Sequence, residues 1–214
     1  MTSENFVPKT SLDVSDLPST EFDHRSPLWW GNLIGLMIET AMFGIMIAVF
    51  FTVAMNLRPF PPPRVDRFPV LLDSEPNLTL PIIGLLVLLI SLVPGILLDL
   101  AGRRRDVKSI KILLPVTLSI NLALILIRYY EFDSLHFKWN DNAYGSATWM
   151  ILGLHMFHLI VLFCEDVYLT VWTFVRGIDE KHALDLTVAA VYWYWIVGMW
   201  VLLFPIVYLV PRML

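Results

Sequence analysis

Glu39 is the single charged residue in the apolar run from Trp30 to Asn56. Nine residues into that run it lies about 14 Å deep at the helical rise of 1.5 Å per residue, near the middle of a bilayer's hydrocarbon. A carboxyl at that depth costs at least about a few kcal/mol, which makes it a candidate functional group. Two kinds of chemistry fit it. It can handle a proton or touch a lipid, or it can hydrogen-bond across a helix interface for stability alone. Gly31 and Gly35 precede it at four-residue spacing and offer a small-residue surface that a neighbouring helix could approach closely enough to shelter the acid.

A second constellation lies further along. At 100° per residue Thr148, His155, His158, Glu165, Asp166 and Thr173 fall within an arc of about 100°, one polar stripe on one helix. His-x-x-His with nearby carboxylates has ligand chemistry, but one helix cannot surround an ion, and the Glu-x-x-His pairs of a di-iron bundle are absent from the apolar runs. A haem held between helices needs a second membrane histidine, and His24, His136 and His182 fall in the tail or loops. The preferred reading is that the stripe hydrogen-bonds neighbouring helices, a partner subunit, water or lipid headgroups. Cys164, the only cysteine, excludes an intrachain disulfide and any Cys-x-x-Cys site, and reads as an inert packing residue. No Ser/His/Asp grouping, Gly-rich phosphate loop or nucleotide motif is present, so no catalytic residue, bound metal or cofactor is assigned to this chain.

The elements that carry these groups emerge from composition. Of 214 residues 57% are hydrophobic and only 16% charged, far from the soluble range, and the charges gather between long apolar runs. Disorder, coiled coil and nucleic-acid binding are excluded as the main theme. Residues 1–28 read as a polar, flexible tail and 29–214 as a membrane domain. Spans are expected at about 30–56, 79–100, 112–130, 146–175 and 187–210, each near or above the roughly 20 residues needed to cross hydrocarbon. No ten-residue alternation suggests porin strands. The expected fold is an all-α bundle of five transmembrane helices.

Orientation is set by lysine and arginine. A cytoplasmic N-terminus puts Lys9, Arg25, Arg103, Arg104, Arg105, Lys108, Lys111, Arg176 and Lys181 inside, against Arg58, Arg64, Arg67, Arg128, Lys138 and Arg212 outside. The C-terminus is then periplasmic. The short segment Gly102 to Lys108 decides, and its Arg103, Arg104, Arg105 and Lys108 are candidates for anionic lipid headgroups, although topogenic charge explains them equally well. Pro59 to Pro63 must end the first span by about Leu57, and Pro94 is placed to kink the second. Tyr192 to Trp195 lie too deep for an interfacial belt and must pack on other helices, whereas Trp29, Trp30 and Tyr208 fit the belt.

Four stretches together resemble the third subunit of cytochrome c oxidase and related haem-copper oxidases, in its short five-helix bacterial form. They are Trp30-Gly31 through Glu39, Met42 and Phe43 to Arg58-Pro59-Phe60-Pro61-Pro62; Arg128 to Phe132; Tyr144-Gly145-Ser146 with Gly153-Leu-His155-Met-Phe-His158; and His182, Asp185 and Tyr192-Trp193 through Trp200, Phe204-Pro205 and Tyr208. The resemblance runs from about Trp29 to the C-terminus. Departures stand beside it: Tyr194 where the family has His, Val197 where it has an acid, Asp185 for Glu, and the Glu165-Asp166 pair inside the fourth span. The resemblance implies an accessory subunit without redox centres in the bacterial inner membrane. It would lie beside catalytic subunit I, with subunit II close by, and could belong to a larger respiratory supercomplex; haem and copper sit in the partners. It also implies phospholipid between helices and support of proton uptake and of the oxygen-reducing site in aerobic respiration. Glu39 becomes the family's membrane carboxylate, and His155, His158 and His182 become structural or lipid-adjacent polar residues; Glu165, Asp166 and Asp185, outside that pattern, read with them as polar-stripe, lipid or partner contacts. Two alternatives remain open: an accessory subunit of a quinol oxidase or nitric oxide reductase, and a small proton or cation transporter.

Overall fold

The computed structural model describes residues 26–62, 75–178 and 180–214. Residues 1–25 of the expected tail, with Lys9 and Arg25, and the loop cations Arg64 and Arg67 lie outside the described residues. Among those described the secondary structure is helical throughout. Five helices are long and apolar enough to cross a membrane, and the chain is a multi-pass membrane protein.

The helix ends reflect local chemistry. Helix α1 (Pro27–Asn56) begins within the stretch assigned to the tail, because Ser26 caps it by accepting from the Trp29 amide at 3.4 Å, with Pro27 at the first helical position. It stops where Leu57 turns extended ahead of the proline-rich exit. Helix α2 (Thr79–Arg103) continues through Pro94, and α3 (Val107–Ser134) starts on Asp106, whose carboxylate accepts from the Lys108 and Ser109 amides. Helix α4 (Ala143–Arg176) is capped by Asn142, 2.7 Å from the Gly145 amide, and ends at Gly177 with φ of 79°, a conformation that favours glycine. Helix α5 (Glu180–Phe204) leads into a π-helical turn at Pro205–Leu209 and a last short helix, α6 (Val210–Met213). Helix α3 outruns its apolar window, and near its end Arg128 and Glu131 pair inside the protein.

Helices α2, α3, α4 and α5 form a ring, with neighbours α2–α3, α3–α4, α4–α5 and α5–α2, and α1 packs on α4 and α5. Trp200, Tyr144, Tyr208, Phe43 and Phe50 are among the largest fully buried side chains. Phe60, from the Pro-Phe-Pro exit, lies edge-on to Tyr144 at 5.3 Å and to Phe50 at 6.0 Å, which ties the chain leaving α1 to the start of α4. The aromatic run of α5 packs as expected, with Trp193 buried and Tyr192, Tyr194 and Trp195 half-buried against the core.

Three expectations need correction. Tyr208 is not a belt residue: the widened turn after Pro205 brings it fully inside. Cys164 is exposed on α4 and does not pack the bundle. Gly31 and Gly35 have no atom within 4 Å of where a Cβ would stand, so among the described residues no helix closes over them.

Candidate functional site

His158 of α4 faces Glu39 of α1, with Nε2 3.2 Å from Oε2. The histidine side chain is buried, while the carboxyl is 34% exposed, so Glu39 meets both the protein and its surroundings. The other ring nitrogen, Nδ1, lies 2.7 Å from the Leu154 carbonyl, which can only accept, so Nδ1 must carry a proton. The Nε2 to Oε2 contact then needs one further proton. It resides on the carboxyl, giving a neutral pair, or on the ring, giving imidazolium and carboxylate. Glu39 and His158 thus form a one-proton site at the junction of α1 and α4. Phe43, Tyr192 and Trp195 ring His158 at 5.1 to 6.2 Å, and Trp195 donates its indole N–H to the Thr40 hydroxyl at 2.8 Å, holding α1 to α5 at the same level.

His155, one turn earlier, faces another way. Arg128 of α3 lies 3.4 Å from its Nδ1, and its Nε2 lies 3.3 Å from the Ile196 carbonyl of α5. A guanidinium only donates and a carbonyl only accepts, so this ring is neutral with its proton on Nε2. Arg128 also pairs with Glu131 at 2.7 Å and stacks on Trp200, 3.6 Å from the ring centroid; Glu131 accepts from the Tyr208 hydroxyl as well. All five side chains are buried. This corrects Arg128, placed outside by the orientation reading: it sits within α3 with its charge answered inside. The signal in the sequence was the i, i+3 spacing of Arg128 and Glu131 on a helix extended beyond its apolar window.

The polar stripe therefore serves three neighbours, α1 through His158 and both α3 and α5 through His155. Further along it, Asp166 is buried against a small cavity of about 30 Å³, lined with Ser91 and Gly95 of α2, Thr117 of α3 and Trp193 of α5; Glu165 is half-buried. His182 lies on α5 rather than in a loop, buried and stacked on Trp172 at 4.3 Å, and Asp185 is half-buried one turn on. Trp172 is 17 residues beyond His155 on α4, about 25 Å along the helix, so His182 does not approach His155. Among the described residues no group of three or more His, Cys, Asp or Glu converges as a metal site, and both nitrogens of His155 and of His158 are engaged. Of the basic segment, Arg103 is taken by buried Asp99 at 2.9 Å, while Arg104 and Lys108 are exposed.

The sequence profile of cytochrome c oxidase subunit III matches residues 19–211. The chain belongs to the cytochrome c oxidase subunit III family. Within it, the chain is similar to a probable cytochrome c oxidase subunit 3 of Rickettsia conorii, 26% identical over 212 residues that cover 88% of this chain and 71% of the relative. The subunit 3 of Thermostichus vulcanus is 23% identical over 187 residues, 85% of this chain and 87% of its own. That of Alkalihalophilus pseudofirmus is 28% identical over 128 residues, 58% and 62% respectively. The match to the subunit III profile takes in all five spanning helices, including Glu39, both membrane histidines and the Arg128–Glu131 pair.

Proposed function

We propose that this chain is the accessory subunit III of a haem-copper terminal oxidase of the cytochrome c oxidase type, in a bacterial inner membrane. In this reading it has no redox centre of its own and sits beside subunit I, with subunit II in the same complex; haem and copper belong to those partners. It holds phospholipid at its helices and supports proton uptake and the durability of the catalytic subunit. The observation that carries the chemical part is the one-proton contact of Glu39 with His158, partly open at mid-span. Such a pair holds one proton with no net charge in hydrocarbon, and the partly exposed carboxyl is where that proton enters or leaves. The family match carries the rest. His155, His182 and Arg128 act structurally in this account, since their partners are internal.

The N-terminus lies in the cytoplasm and the C-terminus in the periplasm. The cluster of Arg103, Arg104, Arg105 and Lys108 in the short stretch between the second and third spans supports this.

The test is to tag the subunit, extract it from native membranes in mild detergent, and record the co-purifying chains with a reduced-minus-oxidised spectrum. A haem-bearing chain in constant ratio is the expected result. Its haem types and electron donor choose among cytochrome c oxidase, quinol oxidase and nitric oxide reductase. A colourless preparation without partners overturns the reading.

A further inference from the structure

The ring of α2, α3, α4 and α5 surrounds the cavity of about 30 Å³ beside Asp166. Three helices each give it a polar group: Ser91 from α2, Thr117 from α3 and Asp166 from α4. From α5 come Ala189, Ala190 and Trp193, none of which titrates. Ser91 stands twelve residues from either end of α2, so the cavity lies at the middle of the spans.

The hydrogen-bonding capacity of this wall is one-sided. The Ser91 and Thr117 hydroxyls already donate to the Leu88 and Leu114 carbonyls, at 2.6 and 2.9 Å, and have only lone pairs left to offer. Asn121, one turn beyond Thr117, faces Asp166 closely, yet neither its amide oxygen nor its nitrogen is in hydrogen-bond geometry with any protein group. It is 1% exposed, and an amide left so costs about 1–3 kcal/mol. Asp166 is 6% exposed; no cation pairs with it among the described residues, and its charged neighbour, Glu165, has the same sign. Two unanswered demands therefore meet here: a buried amide needs partners for both of its atoms, and a buried carboxyl needs its charge removed.

We infer that this cavity binds water, which bridges a proton-bearing Asp166 to the Asn121 amide and to the free lone pairs of Ser91 and Thr117. A bound water takes roughly 10–15 Å³ and two to four polar partners, so there is room for about two. Water both donates and accepts, which the amide and the hydroxyl lone pairs together require. The proton on Asp166 follows from depth, since a bare carboxylate without a cation is too costly there. A metal ion would ask for more oxygens than this wall carries. The site is separate from the Glu39–His158 pair, which lies toward α1, and it depends on the helices spanning a membrane, not on the oxidase reading.

The test uses the chain as extracted from native membranes, with whatever partners it retains, so that its result stands whether or not a haem-bearing chain is found. Electron cryo-microscopy of the wild type is expected to show water density within hydrogen-bond distance of both Asp166 and Asn121. A dry cavity overturns the site, and no variant is needed to see it. Infrared difference spectra of wild type against Asp166→Asn, in light and heavy water, read the proton. The expected result is loss of one protonated-carboxyl band that shifts on exchange. Loss of carboxylate bands instead overturns the proton. Asn121→Leu keeps the shape and the carboxyl but removes the amide, and should shift the same band and release at least one water. An unmoved band with unchanged water overturns the bridge.

Discussion

Tyr208, in the π-helical turn that closes α5, donates its hydroxyl to the same Glu131 oxygen that accepts from Arg128 of α3. The carboxylate thus joins the last turn of the chain to the third helix. With Arg128 reaching on to His155 and Trp200, three helices meet at one buried charge pair. Neither charge has water to fall back on, so each depends on the other.

Removing one partner should therefore cost far more than removing both. Glu131→Gln strands the guanidinium, and a loss of about 3–5 kcal/mol is expected. The double change Arg128→Met with Glu131→Met should recover most of it. Heating the detergent-extracted protein and following its release or unfolding reads both. A double variant no more stable than the single would show that the pair is not the source.

Glu39→Gln keeps a hydrogen-bond donor toward His158 Nε2 but removes the exchangeable proton. Assembly with partner chains should be unchanged, while proton uptake slows or the number of turnovers before inactivation falls. His158→Phe should reproduce the loss by leaving Glu39 without its partner. If oxidase carrying Glu39→Gln sustains wild-type turnover throughout a long assay, the pair is structural only.

Gly145 is required for contact. A Cβ there would meet the Lys138 carbonyl at 2.5 Å, and a backbone atom cannot swing aside as a side chain can. Gly145→Ala should destabilise by about 1–3 kcal/mol, the usual range for overpacking. Gly153 on the same helix has no atom within 4 Å of its Cβ position, so Gly153→Ala should be silent or slightly stabilising through helix propensity. Parallel thermal unfolding of the two variants checks the contrast.

Length and composition made the five helices legible, because a span must be apolar for about 20 residues whatever it packs on. The stripe on α4 was legible for the same kind of reason, since helical period alone puts His155 and His158 on one side. Which neighbour each histidine meets was not legible: the roughly 60° between them sends one ring to α3 and α5 and the other to α1. Arg128 was misplaced because a charge near a helix end looks the same whether it faces water or a partner; only Glu131 at i+3 hinted otherwise. Tyr208 was misplaced because the phase of a helix is lost across a π-helical turn, which adds a residue to the turn and rotates the side chains beyond it.

Apolar contact does little to hold one helix to another within lipid, whose tails match leucine for leucine. The polar anchors of α1 accordingly matter beyond their number. Glu39 and Thr40 are adjacent and grip α4 and α5 at one depth, and the Phe50, Phe60 and Tyr144 cluster grips again near the Asn56 end. Mechanically, α1 is a beam clamped at its middle and at one end. Sliding and rotation are resisted at both points, and bending falls more to the stretch before the Glu39 clamp, where no described residue closes on Gly31 or Gly35.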